Sequence, residues 1–64
     1  MNYYKIAELA NLCNTKRAMI NEYYRCIGAN GLLTKETSQG ILDSIKELES
    51  ELQKLETRLK KEIA

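Results

Sequence analysis

The fold is decided by one stretch late in the chain, ILDSIKELESELQKLETRL at residues 41–59. Its isoleucines and leucines are separated alternately by four and three positions, which is the hydrophobic repeat of a coiled coil. A helix with such a seam needs an apolar surface to pack against, so the sequence predicts that this helix is paired. The seam consists of Ile41, Ile45, Leu48, Leu52, Leu55 and Leu59.

The seam has two candidate partners, a second copy of the chain or the N-terminal half of the same chain. A parallel homodimer would set Glu51 against Glu56, whereas an antiparallel homodimer can place Glu51 opposite Arg58. We therefore favour an antiparallel homodimer, and Leu42 and Ile63 widen the apolar face enough for a higher oligomer. The alternative is that the seam packs on the chain's own first helices, which look too short to cover it.

Two short helices are predicted in the N-terminal half, because apolar residues recur there at helical spacing. The first covers residues 4–13, and Asn14 and Thr15 then interrupt the pattern. Thr15 is a suitable N-cap for a second helix at residues 16–27, and Gly28 suits its end. Two short helices joined by a tight turn form a helix-turn-helix. The apolar faces comprise Ile6, Leu9, Ala10 and Cys13 in the first helix and Met19, Ile20, Tyr23 and Ile27 in the second.

The chain is therefore predicted to be all-α, with a helix-turn-helix at residues 1–36 and a coiled-coil dimerisation helix at residues 37–64. Gly40 disfavours a helix by about 1 kcal/mol relative to Ala. We therefore expect the long helix to begin near Ser38, with Thr34 as the alternative N-cap. Residues 28–31 are expected to form a loop, and the Leu32-Leu33 pair to tuck under the first two helices.

Composition argues against catalysis and against a metal or other cofactor. The 64 residues contain no His, and Cys13 and Cys26 are the two cysteines. These thiols have no imidazole to act as a base and are too few to hold a zinc ion. Asp43 is the one aspartate. We expect no enzymatic activity, no cofactor and two reduced cysteines.

No membrane or secretory segment is predicted. The longest apolar run is far too short to span a bilayer. Residues 1–5, MNYYK, begin neither a basic region nor an apolar run of the kind that opens a signal peptide. The sequence therefore predicts a cytoplasmic protein.

The second predicted helix has a polar face with a composition that suits the DNA major groove. Arg17, Asn21 and Arg25 recur at every fourth position, with Lys16 and Tyr24 beside them. Arginine reaches guanine or phosphate, asparagine can bond adenine, and tyrosine hydroxyls reach phosphate. The alternative is an ordinary solvated helix face, in keeping with a net charge of only +1.

Part of the chain resembles the opening of MerR-family transcriptional regulators. The similarity covers about residues 3–33 and rests on YKIAELA at 4–10, CNTKRA at 13–18, YYRCIG at 23–28 and GLL at 31–33. It includes neither the wing nor the effector domain of that family. The resemblance implies a dimer held by an antiparallel coiled coil, with Lys16 and Arg17 at the start of a DNA-recognition helix. It further implies that Tyr23 or Tyr24, with Arg25, contacts the DNA backbone.

The sequence thus predicts a small dimeric MerR-like regulator that binds double-stranded DNA. The alternative is a protein-interaction module, an adaptor or inhibitor of another regulator that works through its coiled-coil helix. Both interpretations require the apolar seam, and only the basic face separates them.

Overall fold

The chain forms two long helices that lie side by side. The computed structural model describes residues 2–29 and 33–64 and contains α1 at Tyr3–Ala29 and α2 at Lys35–Ile63. The described residues include no strand, so the predicted all-α class is confirmed. Lys5 near the start of α1 pairs with Glu62 near the end of α2, so the two helices form an antiparallel hairpin.

α1 is a single helix of 27 residues, and the break predicted at Asn14 and Thr15 is wrong. The Thr15 hydroxyl donates to the Asn11 carbonyl at 3.0 Å, within the preceding turn of the same helix. The Asn14 side-chain oxygen accepts from the Arg17 guanidinium at 3.1 Å. Both polar side chains are thus satisfied without leaving the helix. Their lower helix propensity, below about 0.7 kcal/mol each, is outweighed by packing on α2.

α2 begins at Lys35, earlier than the start near Ser38 that Gly40 suggested. Thr34 is its N-cap, with extended φ and ψ of −70° and 160°, and its hydroxyl accepts from the Thr37 amide at 3.1 Å. This bond satisfies one of the free amides at the helix start and offsets the weak propensity of Gly40. The end at Ile63 is as predicted.

The expected loop at 28–31 and the expected position of Leu32-Leu33 are tested only in part. Gly28 and Ala29 continue α1, so the predicted stop at Gly28 is wrong. Leu33 is half-buried, whereas Asn30, Gly31 and Leu32 lie outside the described residues.

The core is a line of side chains between the two helices. α1 has a seam of its own, whose residues are separated alternately by three and four positions along the whole helix. Lys16 is the one charged residue in this seam. The buried residues of the described chain are Leu9, Cys13 and Ile20 of α1 and Ile45 and Leu48 of α2. Packed against the Ile20, Ile45 and Leu48 cluster are Tyr23, Ile27, Ile41 and Leu52. The α1 seam comprises Ile6, Leu9, Cys13, Lys16, Ile20, Tyr23 and Ile27.

The α2 seam therefore packs on α1 of the same chain, the second of the two arrangements considered above. The objection that the N-terminal helices are too short does not hold, because they are one helix nearly as long as α2. A continuous partner of 27 residues is about 40 Å long and covers the seam from end to end.

The hairpin is a thin rod rather than a globule. Its extents are 49 × 16 × 11 Å, and its radius of gyration is 14.8 Å. A compact chain of this length would have a radius of gyration of about 11 Å. Neither α1 nor α2, in the described part of the chain, contains a stretch of enough length and apolarity to cross a lipid bilayer. A single layer of two helices leaves most of each helix surface facing solvent.

Candidate interaction surfaces

Three of the residues predicted to contact DNA form one exposed strip along α1, which we name the basic strip. Arg17, Asn21 and Arg25 follow one another at every fourth position, so a continuous helix aligns them on one side. All three are exposed, and the Arg25 side chain is 73% accessible. The structure therefore brings these three predicted residues together.

Each arginine of the basic strip is paired with a glutamate. A guanidinium nitrogen of Arg17 lies 3.8 Å from a carboxylate oxygen of Glu56 in α2, and one of Arg25 lies 3.0 Å from Glu22 in α1. Exposed pairs of this kind contribute little to stability and exchange readily with other anions. Their carboxylates nevertheless reduce the positive potential along the strip.

Lys16 and Tyr23 lie away from the basic strip, in the α1 seam. The Lys16 ammonium lies 2.6 Å from a Glu51 carboxylate oxygen of α2, and Tyr23 is half-buried against the core cluster. The sequence predicts Tyr23 on the apolar face of the second helix. Lys16 could have been placed in the seam by its spacing, because it follows Cys13 by three positions and precedes Ile20 by four. That spacing puts Lys16 in the seam once α1 is continuous.

Tyr24 joins α1 to α2 on the side of the hairpin that carries Arg17. Its hydroxyl donates to a carboxylate oxygen of Glu49 at 3.1 Å. This hydrogen bond, together with the negative charge of Glu49, raises the pKa of the Tyr24 hydroxyl above its usual value, because both favour the neutral phenol. Tyr24 is half-exposed, so it supports the hairpin while its ring faces solvent.

Cations of α1 meet anions of α2 at several heights along the hairpin. Lys5 lies 3.1 Å from Glu62, Lys16 lies 2.6 Å from Glu51, and Arg17 pairs with Glu56 as described above. A shift of one helix by a turn would separate all of these pairs. The ion pairs therefore help to define the antiparallel register, as charges beside a coiled-coil seam do.

A second apolar surface lies on the flank of α1 and is left uncovered by α2. It contains a shallow groove of about 330 Å³, which we name the α1 groove. Leu12 and Met19 line this flank with 42% and 41% of their surfaces exposed, and Cys26 is also exposed. Met19 was predicted to face the core, which is wrong. The groove is lined by Ala18, Met19, Glu22, Tyr23 and Cys26, all from α1.

The same flank continues beyond Leu12 into a second shallow surface shared by both helices. Leu12 and Leu55 provide its apolar part. Charged side chains surround them, among them the Lys16–Glu51 pair and Arg58. This flank therefore has an apolar centre with a charged margin, which is the general anatomy of a protein interface.

The residues predicted to dimerise the chain face α1 within the hairpin. Ile45 and Leu48 are buried, and the other four seam residues are half-buried. A homodimer built on this seam would require the hairpin to open and exchange helices between copies. The α1 groove, in contrast, is accessible while the hairpin stays closed.

Comparison with known protein families, with curated proteins and with solved structures finds no match to this chain. The resemblance to MerR-family regulators therefore stays a prediction. Both cysteines are free, Cys13 in the core and Cys26 at the surface. Residues 2–29 and 33–64 contain no group of three side chains placed to hold a metal ion.

Proposed function

We propose that this chain is a protein-interaction module, a helical hairpin that assembles with a helical partner through the α1 groove. The observation that carries the proposal is the exposed apolar flank centred on Met19. A small protein with five buried hydrophobic side chains among its described residues gains from covering such a surface. We assign it no catalytic role.

The chemistry of the groove fits an interface between helices. Alanine, methionine, tyrosine and cysteine provide its apolar area, and the unbranched methionine adapts to the shape of a neighbouring side chain. Packing on α2 supports this flank, because Ile20 is buried in the core and Tyr23 packs against it, both on the helix that carries Met19 and Cys26. The module therefore presents a preformed surface, which reduces the entropic cost of association.

The test is to place a charge in the groove and measure assembly. We expect wild-type protein to sediment as an assembly at high concentration and Met19→Glu to sediment as a monomer, because a carboxylate in an apolar interface is desolvated without a partner. Asn21→Glu is the matched control, since it adds the same charge to the exposed basic strip of the same helix. Circular dichroism verifies that both variants remain helical. Identical sedimentation of Met19→Glu and wild type would refute a role for the groove.

A second candidate function is DNA binding as a small dimeric MerR-like regulator. The observation that favours it is the basic strip, in which Arg17, Asn21 and Arg25 lie on one exposed face of a long helix. It ranks second because Glu56 and Glu22 partly neutralise the two arginines. The net charge of +1 also gives little general attraction to phosphate.

Titration into labelled duplex DNA from the region upstream of its own gene, at two salt concentrations, tests this second function. If the basic strip binds DNA, Arg17→Ala and Arg25→Ala each weaken binding and lower the salt dependence by about 0.9 in log–log slope. Lys46→Ala is the control, because Lys46 is an exposed cation on α2, whereas the strip belongs to α1. Equal binding by all three variants, or equal affinity for a scrambled duplex, would exclude specific recognition by the strip.

A further inference from the structure

We infer that the partner of the α1 groove is a second copy of this chain, packed antiparallel with Met19 on the twofold axis. The inference rests on the proposed interaction function and names its partner and geometry. It differs from the homodimer that the sequence suggested, because the interface is the flank of α1 and the α2 seam stays inside each hairpin.

The spacing of the exposed apolar residues carries the symmetry argument. Leu12, Met19 and Cys26 are separated by seven positions each, so they form one straight column with Met19 at its centre. When a second α1 helix lies antiparallel on this column, Met19 meets Met19 of the second copy. Leu12 of each copy then meets Cys26 of the other. All three levels are apolar, and the interface is self-complementary, as a twofold dimer requires.

Charge at the groove margin selects the antiparallel arrangement. Glu22 lines the groove, so a parallel pair would bring the Glu22 carboxylates of both copies to the same level. The antiparallel pair sets Glu22 level with Lys16 of the second copy, a cation whose ammonium is already partnered by Glu51. It also sets Tyr23 level with Thr15, which is uncharged. Like-charge repulsion therefore disfavours the parallel dimer.

The available surface is sufficient for such a dimer. The hairpin exposes 5022 Å². A compact protein of 7.4 kDa exposes about 4,200 Å². The excess of about 800 Å² equals the area that one partner buries in a standard stable interface. Pairing two hairpins side by side would bring the surface of each chain down to that of a compact protein.

Thiol cross-linking distinguishes the two orientations. In the antiparallel dimer the two Cys26 residues lie about 21 Å apart along the helix axes. A disulfide requires its Cα atoms within about 7 Å, so mild oxidation of the native protein leaves Cys26 unlinked. Met19→Cys in a Cys26→Ser background places two thiols at the axis and is expected to form a covalent dimer. Cys13 does not interfere, because it is buried in the core.

Asn21→Cys in the same Cys26→Ser background is the control, because its thiol lies on the opposite side of α1. Linkage at position 19 with none at position 21 supports the inference. A Cys26–Cys26 disulfide in the native protein would overturn the antiparallel geometry and leave the interaction function standing. Equal disulfide formation at positions 19 and 21 would show that the cross-links arise from random collisions, and it would overturn the homodimer. Identical sedimentation of Met19→Glu and wild type is the separate outcome that would remove the proposed function itself.

Discussion

Lys16 is the residue whose position changes the interpretation of the whole chain. At the start of a short second helix, the Lys16 ammonium would be placed to bind a phosphate group of DNA. In the hairpin it occupies the α1 seam, with its ammonium 2.6 Å from Glu51 and its aliphatic stem beside apolar neighbours. A single charged residue in a coiled-coil seam specifies register at some cost in stability. Lys16 therefore acts within the hairpin as a register marker.

Lys16→Met is expected to raise the free energy of unfolding by up to about 1 kcal/mol, because methionine fills the same position without desolvating a charge. The same variant is expected to form a wider range of oligomers, since it lacks the Lys16–Glu51 ion pair that favours one register of the two helices. Urea unfolding and sedimentation, both at fixed protein concentration, measure the two effects. Lys46→Met, at an exposed site on α2, is the control and is expected to change stability by less than about 0.5 kcal/mol. A large destabilisation by Lys16→Met would show that the ion pair outweighs its desolvation.

At the scale of the element, the two helices differ in how well the sequence specifies their ends. α2 has a cap, an acidic residue in its first turn and two lysines in its last turn, all of which favour a helix with this direction. α1 has no acidic residue in its first turn and no basic residue in its last. Its length comes from the continuous seam that packs on α2. Local end signals explain α2, whereas α1 is capped at its start, where the Asn2 side-chain oxygen accepts from the Lys5 amide at 3.1 Å, and owes its length to tertiary packing.

Thr34→Ala is expected to destabilise the hairpin by about 1 kcal/mol, because the Thr37 amide loses its acceptor at the start of α2. Hydrogen exchange of the Thr37 amide should accelerate together with a fall in the thermal midpoint. Thr57→Ala is the matched control, since it makes the same substitution inside α2 at an exposed site and removes no cap. If Thr34→Ala and Thr57→Ala behave alike, α2 starts nearer Ser38, where Gly40 had suggested.

The difference between α1 and α2 shows how much of the fold the sequence predicts. The α2 seam and the end at Ile63 follow from hydrophobic spacing and are found in the structure. The turn at Asn14 and Thr15 was inferred from local propensity, which packing along a whole helix outweighs. Once that turn was assumed, the α1 seam was divided in two and Met19 was assigned to the core. The single wrong helix boundary at Asn14 and Thr15 therefore explains why the sequence does not predict the α1 groove.

At the scale of the whole molecule, the hairpin is a rod in which α1 presents two chemically different sides to solvent. The basic strip runs along one side, where Arg17 and Arg25 carry their glutamate partners. The apolar flank with Leu12 and Met19 runs along another. An assembly through the flank leaves the strip exposed on the outside of each copy. Assembly through the α1 groove and recognition by the basic strip are thus compatible in one molecule.

The position of the core cluster within the rod has a consequence for how the hairpin forms. Ile20, Ile45 and Leu48 lie in the half of the rod nearer the connection between the helices, whereas Leu9 and Cys13 lie towards the open end. Contacts near the connection close a shorter loop and lose less chain entropy. We therefore expect the two helices to join first at the closed end and then to pair progressively towards Tyr3 and Ile63. Thermal opening proceeds in the reverse direction, so the first turn of α1 and the last turn of α2 separate while the cluster still holds.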